Sequence, residues 1–198
     1  MLTALSRLRG IRIGVVALGA LLLGAASPSG TAYAIDDAGS SVSAKVSFLG
    51  IGKRTAGFPQ VSGTVRLSPD RPDSIALDVK LDARALTASD GLTRDRLRGE
   101  DFFWVAKYPV VRFRGDQLTM RSATSGTVRG QLQARGVSRP VVLNVTFDKA
   151  PANLAPDESV TLSGSTTINR RDFGMTAYSL IVGKNVTIDL TAKLRPRR

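Results

Sequence analysis

Apolar and polar side chains alternate along most of the chain from residue 41 onwards. The first apolar series consists of Val42, Ala44, Val46 and Phe48, and the residues between them are serine or lysine. Successive side chains of a β-strand point to opposite faces, so a period of two predicts a strand with one apolar and one polar face.

The same alternation recurs along the chain and predicts eight strands. They cover residues 41–48, 61–67, 75–82, 111–114, 127–135, 141–147, 160–168 and 186–194. One apolar face per strand favours antiparallel pairing, because buried parallel strands are usually apolar on both faces. Eight antiparallel strands can close into a barrel without free edges, and this all-β barrel is the predicted fold.

Turn-forming residue pairs separate several of the predicted strands. These pairs are Pro69-Asp70, Ser125-Gly126, Arg135-Gly136 and Pro156-Asp157. Proline presets a turn dihedral, glycine tolerates left-handed backbone, and aspartate bonds its own backbone, so each pair predicts a turn.

Two segments break the alternation. Residues 89–108 show helix-compatible spacing, with Ser89 or Asp90 as N-cap, Gly99 as an interruption and Pro109 as the end. We predict a short, broken helix here, between the third and fourth strands, which covers one end of the barrel either as a plug or as the wall of a ligand pocket. Residues 169–183 form a long connection, and such connections are often functional.

The first 34 residues have a different organisation. Arg7, Arg9 and Arg12 precede an apolar run over residues 13–26, and small residues follow. This is the order of a secretory signal, and the run is shorter than the roughly 20 residues of a membrane-spanning helix. We predict a signal peptide over residues 1–34, with cleavage after Ala32 as a second option, a barrel domain over residues 35–198, and a periplasmic or secreted location. An uncleaved anchor is the alternative.

The composition narrows the chemistry. The chain contains no cysteine and no histidine, so it lacks disulfides, the usual general base and the commonest metal ligand. We therefore assign no catalytic residue and no metal site. The formal net charge of +12 favours an anionic partner, and for an exported protein a membrane surface rather than nucleic acid. A solubilising surface without a specific partner is the alternative.

Three motifs resemble the signature of the YceI-like family. They are LRGEDFF at Leu97–Phe103 followed by KYP at Lys107–Pro109, VRGQL at Val128–Leu132 followed by GVSRPV at Gly136–Val141, and INRRDFGM at Ile168–Met175. The opening YAID at Tyr33–Asp36 also fits the family and favours cleavage before Tyr33. The resemblance covers nearly the whole predicted mature chain.

The resemblance implies a lipocalin-like, eight-stranded barrel with a helical cap that binds a polyisoprenoid along its axis. Gly39, Phe48 and Arg96 stand where the family often has histidine, so no role of those histidines carries over. The apolar features are retained, which favours apolar binding over polar chemistry.

Small residues on the predicted inner face leave room for a ligand. An eight-stranded barrel holds either its own side chains or one small ligand, and the small inward residues are Ala44, Gly63, Gly130, Ala134, Gly164 and Ala192. We predict a non-enzymatic carrier of a long apolar lipid, of the polyisoprenoid or isoprenoid-quinone type, with no other cofactor. Small residues that only ease strand coiling are the alternative.

The predicted site combines a lipid-binding lining with a basic mouth. The lining residues are Val46, Phe48, Leu77, Val79, Phe102, Phe103, Trp104, Tyr108, Phe113, Gly130, Leu132, Ala134, Leu143, Phe147, Leu162, Phe173, Met175, Tyr178, Ile188 and Leu190. Arg94, Arg96, Arg170 and Arg171 are the predicted head-group contacts, because a guanidinium fork suits phosphate. The sequence leaves the oligomeric state open, a homodimer included.

Three other functions stay open. An outer-membrane barrel shows the same alternation with reversed faces, although only 6% of residues are aromatic. An enzyme acting on an apolar lipid would rely on carboxylates such as Asp95 and Asp172, which form no recognised catalytic constellation. A basic envelope protein with a filled barrel would bind an anionic surface and hold no lipid.

Overall fold

The computed structural model describes residues 30–50, 52–68, 74–155 and 157–197. Their strands are β1 (Thr31–Phe48), β2 (Gly52–Phe58), β3 (Val61–Leu67), β4 (Ser74–Asp82), β5 (Thr87–Ala88), β6 (Val110–Met120), β7 (Ser125–Ala134), β8 (Val137–Phe147), β9 (Val160–Asn169) and β10 (Val182–Pro196). One α-helix, α1 (Gly91–Arg98), and 3-10 turns at Ala83–Ala85, Pro151–Asn153 and Arg170–Phe173 complete the elements.

The strands close into an eight-stranded antiparallel barrel, which confirms the predicted fold. The circuit runs β1-β3-β4-β6-β7-β8-β9-β10, and β10 pairs with β1. Strand β1 pairs with two different strands on the same side. Its residues Thr31–Ala34 pair with β3, and its residues Val42–Phe48 pair with β2. Its ladder with β10 shifts register between Asp36 and Ser41.

Strand β1 begins before the predicted start of the barrel domain. The ring of Tyr33 is only 1% exposed and belongs to the core, and Tyr33 pairs with both Val65 and Pro196. The barrel therefore includes residues that a boundary after residue 34 would assign to the leader. Residues 1–29, which contain the rest of the predicted signal peptide, lie outside the described part of the chain.

Two strands, β2 and β5, were not predicted from the alternation of apolar and polar residues. The first half of β2 is exposed on both faces, and only Ala56 and Phe58 point into the core. The alternation is thus too short to recognise. Strand β5 is a two-residue pairing of Thr87-Ala88 with β2.

The predicted turns had mixed outcomes. Arg135-Gly136 is a hairpin turn with positive φ at both residues, as a tight two-residue loop requires. The turn predicted at Ser125-Gly126 is wrong, because both residues pair within β7 and the chain reverses over residues 121–124. A Cβ on Gly126 would lie 2.5 Å from the Thr119 carbonyl oxygen. This glycine therefore allows β7 to lie close to the backbone of β6. Pro69-Asp70 and Pro156 lie outside the described residues.

The connections divide the barrel into two ends. We call one the packed end; it carries the start of β1 and the connections over residues 121–124 and 148–155. We call the other the mouth; it carries the Leu49-Gly50 turn, the segment over residues 83–109 and the connection over residues 170–181. Both segments that broke the sequence alternation therefore meet at the mouth.

The helical cap at the mouth is shorter than the predicted segment. Asp90 is the N-cap, and its carboxylate accepts the Thr93 backbone N–H at 2.8 Å. Helix α1 ends at Arg98, because Gly99 leaves the helical conformation. Turns continue to Tyr108 and bring Phe102 and Phe103 against the barrel. No helix within the described ranges is long and apolar enough to cross a membrane.

Strands β8 and β9 separate towards the mouth. They pair only over Asn144–Phe147 and Leu162–Ser165. Nearer the mouth, the Thr166 hydroxyl donates to the Val142 carbonyl at 2.9 Å and bridges the two strands. Pro140, which has no N–H to donate, lies in this part of β8. The backbone ladder between β8 and β9 is therefore interrupted on the mouth side.

Candidate functional site

An apolar cavity of about 130 Å³ occupies the barrel interior. The structure places twelve predicted lipid-binding residues on its wall: Leu77, Val79, Phe103, Phe113, Leu132, Ala134, Leu143, Leu162, Phe173, Met175, Ile188 and Leu190. Thr166, Thr191 and Arg170 are the polar residues of this wall within the described chain. The interior can therefore receive a hydrocarbon but offers little to a polar ligand.

A second cavity of about 360 Å³ lies at the mouth. Its wall contains four further predicted residues, Val46, Phe48, Phe102 and Tyr178. Five residues line both cavities, which places the two end to end: Ala44, Phe103, Arg170, Met175 and Val186. An elongated molecule could therefore extend from the mouth into the barrel.

Aromatic contacts hold the cap over the mouth cavity. The Phe103 ring meets the Phe58 ring edge-on at 5.6 Å between centroids, and the Phe102 ring stacks on Tyr178 at 6.0 Å. The first contact joins the cap to β2 and the second joins it to the connection over residues 170–181. The segment thus forms a wall of the cavity, as one of the two predicted arrangements requires.

Arg170 is the one charged residue that the described chain buries, with 3% of its surface exposed. Its guanidinium donates to the carbonyl oxygens of Gly183 at 2.9 Å, of Val182 at 3.0 Å and of Met175. Burial lowers the pKa of this guanidinium. Arg170 therefore fastens the connection to β10 and adds a buried positive charge where the two cavities meet. Arg170 thus lines both cavities at the mouth, where it was predicted to contact a head group.

Polar side chains gather in the mouth cavity rather than in the interior. Arg96 lies over the Tyr178 ring at 5.5 Å, and Arg54 lies over the Phe48 ring at 4.7 Å. Asp90 also lines this cavity, and hydrogen bonds from Thr93 lower the pKa of its carboxyl. The mouth can therefore accept a polar or anionic group beside apolar walls.

Several predicted site residues lie elsewhere. Trp104 and Tyr108 pack edge-on against each other at 5.8 Å outside both cavities. Phe147 belongs to the core of the packed end. Arg94 pairs with Asp95 at 2.9 Å on the exposed face of α1, and Arg171 is exposed and lines neither cavity. Alternation indicates which face of a strand is inward but not how far along the barrel a residue lies.

The inward glycines do not create the cavity. A Cβ added to Gly130 would lie 2.1 Å from the Arg114 carbonyl oxygen. A Cβ added to Gly63 would lie 2.1 Å from the Asp78 carbonyl oxygen. Neither glycine lines a cavity, and Gly164 does not either. Gly63 and Gly130 let neighbouring strands approach closely, a role different from both the predicted ligand space and the easing of strand coiling. Of the small inward residues, the alanines line the cavities: Ala44, Ala134 and Ala192.

Sequence reasoning missed several residues that line the cavities, some of them on the unrecognised strand β2. Phe58 and Ala56 come from β2, and Arg54 from its exposed first half. Leu92 and Ile181 come from the cap and the long connection. The sequence signal near Phe58 is the following Pro59, which cannot donate a backbone hydrogen bond and therefore indicates the end of a strand at Phe58.

The chain matches one family model and several known proteins. The model of the YceI-like domain matches residues 33–194. A UPF0312 protein of Pseudomonas savastanoi pv. phaseolicola is 27% identical over 165 residues, which cover 82% of this chain and 86% of that protein. A UPF0312 protein of Azotobacter vinelandii is 26% identical with the same coverage.

Solved structures share the fold. BcnA of Burkholderia cenocepacia gives a TM-score of 0.72 at 23% identity, covering 80% of this chain and 98% of that one. A domain from Saccharophagus degradans, described as polyisoprenoid-binding and implicated in plant cell wall breakdown, gives 0.64 at 16% identity, with coverage of 84% and 99%. Because the family match extends from Tyr33 in β1 to Leu194 in β10, the chain belongs to the YceI-like domain family.

Proposed function

We propose that this protein is an exported, non-enzymatic carrier that holds a long apolar lipid of the polyisoprenoid or isoprenoid-quinone type inside its barrel. The observation that carries the proposal is the pair of adjoining cavities, whose inner member has an almost wholly apolar wall. A tail in this cavity would gain about 25 cal/mol for each Å² of apolar surface removed from water. Such binding needs no polar contact along the tail.

The polarity gradient orients the ligand in this proposal. The tail occupies the interior, and the head group lies in the mouth cavity, where Arg54 and Arg96 line the wall. Buried Arg170 adds positive charge at the junction. A phosphate, pyrophosphate or quinone head offers the oxygen acceptors that guanidinium groups recognise.

The ligand class has outside support. The related fold from Saccharophagus degradans is described as a polyisoprenoid-binding domain. The absence of histidine and cysteine from the sequence supports a carrier rather than an enzyme. Asp90 is the carboxylate that lines the mouth cavity, and it is already engaged as the N-cap of α1.

Export is part of the proposal, and the fold favours one cleavage site. Tyr33 is buried in the core, so a chain that begins at Ile35 would lose this ring and the pairing of Tyr33 and Ala34 with β3. We expect the mature protein to begin at Tyr33. N-terminal sequencing of protein isolated from the envelope tests this, and a mature chain that begins at Ile35 would contradict it.

The central experiment is native mass spectrometry of protein purified from its own envelope, followed by lipid extraction. The wild-type protein should carry one isoprenoid lipid per barrel. Ala44→Phe should abolish the adduct, because Ala44 lines both cavities where they meet. The control is Ala76→Phe, which adds the same ring on the exposed outer face of β4.

Two results would refute the carrier. One is wild-type protein without extractable lipid. The other is an equal lipid load in Ala44→Phe and Ala76→Phe. Turnover of an isoprenoid lipid during incubation with the pure protein would instead revive the enzymatic alternative.

A further inference from the structure

Three leucines project into solvent around the mouth. Leu49, Leu92 and Leu180 are 55%, 65% and 101% exposed, and we call them the rim leucines. Leu49 donates its backbone N–H to the Ile181 carbonyl at 2.7 Å, which brings it beside the residue that follows Leu180. Leu92 lines the mouth cavity together with Ile181. The three leucines therefore surround one opening, although they come from three separate segments.

Cations accompany the rim leucines. Lys53, Arg54, Arg96 and Lys184 are exposed, and none forms an ion pair with a carboxylate of the described chain. We call them the rim cations. Lys53 and Lys184 lie on the two strands that flank β1 near Ser47. Arg54 and Arg96 line the mouth cavity itself.

The packed end has a different surface. Two of its cations are ion-paired, Arg195 with Asp36 at 2.6 Å and Lys149 with Glu158. None of its described residues exposes a large apolar side chain. The other large apolar side chains that the described chain exposes are Tyr178, also at the mouth, and Val110 and Val142 on the barrel strands. Exposed apolar groups and unpaired positive charge therefore coincide at the mouth.

We propose that the mouth docks onto an anionic phospholipid bilayer. The rim leucines enter the boundary between head groups and acyl chains, and the rim cations contact lipid phosphates. Apolar tips combined with surrounding basic residues are the features that bind proteins to the face of an anionic membrane. In this orientation the mouth cavity opens towards the bilayer, so an apolar lipid can pass between membrane and barrel without crossing water.

A bilayer fits this surface better than a protein partner does. The leucines come from three separate segments and are accompanied by unpaired cations, whereas the cores of protein interfaces are apolar and depleted in charged residues. Lysine is depleted in protein interfaces, but Lys53 and Lys184 flank the mouth. Docking by itself requires no isoprenoid, so it stands apart from the proposed carrier function.

The experiment measures binding of the full mature chain to lipid vesicles. Trp104 is the only tryptophan and lies in the cap segment, so energy transfer from Trp104 to a dansyl-labelled lipid reports the approach of the mouth. Vesicles of phosphatidylglycerol mixed with phosphatidylethanolamine should bind the protein saturably. Vesicles of phosphatidylcholine alone should bind it weakly, and added salt should weaken binding to the anionic vesicles.

Matched variants separate the apolar and the charged contributions. Leu180→Ser should weaken vesicle binding about tenfold, because it removes one leucine from the acyl boundary. The control Val142→Ser removes an exposed apolar side chain from the barrel wall and should bind like the wild type. Lys53→Gln and Lys184→Gln should each weaken binding about fivefold at low salt. These residues are exposed, so thermal unfolding should match the wild type.

The outcomes are decisive for the docking proposal. It is overturned if Leu180→Ser and Val142→Ser bind anionic vesicles equally, or if the wild type does not distinguish anionic from zwitterionic vesicles. Protein that carries extractable lipid yet fails to bind vesicles would overturn docking and leave the carrier function intact. Protein that binds vesicles but contains no extractable lipid would overturn the carrier function and leave docking intact.

Discussion

The two ends of the barrel are built from the same strands but are filled differently. At the packed end, Tyr33, Leu118 and Phe147 are 1–2% exposed and belong to one continuous core. At the mouth, Phe103 and Ile188 are only partly buried and surround open space. The alternation is equally regular at both ends. Alternation therefore decides which face is inside, whereas side-chain volume and strand spacing decide whether the inside is full.

Aromatic side chains occur at both ends but have different surroundings. At the packed end, Tyr33 and Phe147 come from strands and point inwards. At the mouth, Phe102 and Phe103 come from the cap and stand beside the cavity. The backbone ladder between β8 and β9 also stops before the mouth. The packed end thus provides stability, and the mouth provides space.

The largest expected difference in the free energy of unfolding is between two variants that each replace one phenylalanine by alanine, one at each end of the barrel. Phe147→Ala should lower the free energy of unfolding by about 3–5 kcal/mol, because it leaves a cavity in a close-packed core. Phe103→Ala should cost less than half as much, because its ring already borders open space. Urea denaturation of both variants measures the difference. Equal losses would mean that the mouth is as tightly packed as the other end.

The next prediction concerns the inward glycines. Gly130→Ala should destabilise the barrel by about 3 kcal/mol, because the new methyl group overlaps the backbone of β6 and forces the strands apart. Gly52→Ala is the control, since its Cβ would meet no atom closer than 3.7 Å. Thermal unfolding compares the two variants. Similar stability in both would show that close strand approach at Gly130 is dispensable.

A smaller effect is expected from Arg170. Arg170→Gln should cost about 2 kcal/mol, because a shorter amide cannot reach all three carbonyl acceptors and leaves some unsatisfied. Hydrogen exchange should accelerate in residues 174–183, while the packed end stays protected. Arg171→Gln, which changes an exposed neighbour, should leave the exchange pattern unaltered. Uniform acceleration over the whole barrel in Arg170→Gln would argue against a local fastening role.

The smallest effect should come from an ion pair on the outer wall. Arg112 donates its Nε–H to Asp78 at 2.7 Å, and this bond holds the pKa of the Asp78 carboxyl below its usual value. The stabilisation is therefore present above about pH 4, the range of an unfolded aspartate, and is lost as the pH falls through the lower folded-state pKa. The effect is small, since the Asp78 and Arg112 side chains are 34% and 26% exposed.

The measurement for this pair is the stability gap between the wild type and Asp78→Asn. We expect a small gap at neutral pH that closes as the protein is acidified. A gap that stays constant from neutral to acidic pH would show that the Asp78 charge contributes nothing to stability.

The sequence was sufficient for much of the fold and part of the site. One-sided alternation predicted the closed barrel, and the INRRDFGM and LRGEDFF stretches marked the two segments that meet at the mouth. Strand β2 could not be predicted, because its exposed first half has no apolar periodicity. Trp104 and Tyr108 were placed at the site by their residue type, but they pack against each other outside it.

The sequence by itself determined which side chains face inwards, because strand geometry alternates them regardless of context. It also excluded histidine and cysteine chemistry, since those residues are absent. Only the tertiary structure decided depth along the barrel. Phe147 and Phe113 occupy equivalent inward faces, yet one fills the packed end and the other lines a cavity. The reason is that empty space depends on register, strand separation and the segments that cover each end, and these arise between residues far apart in the chain.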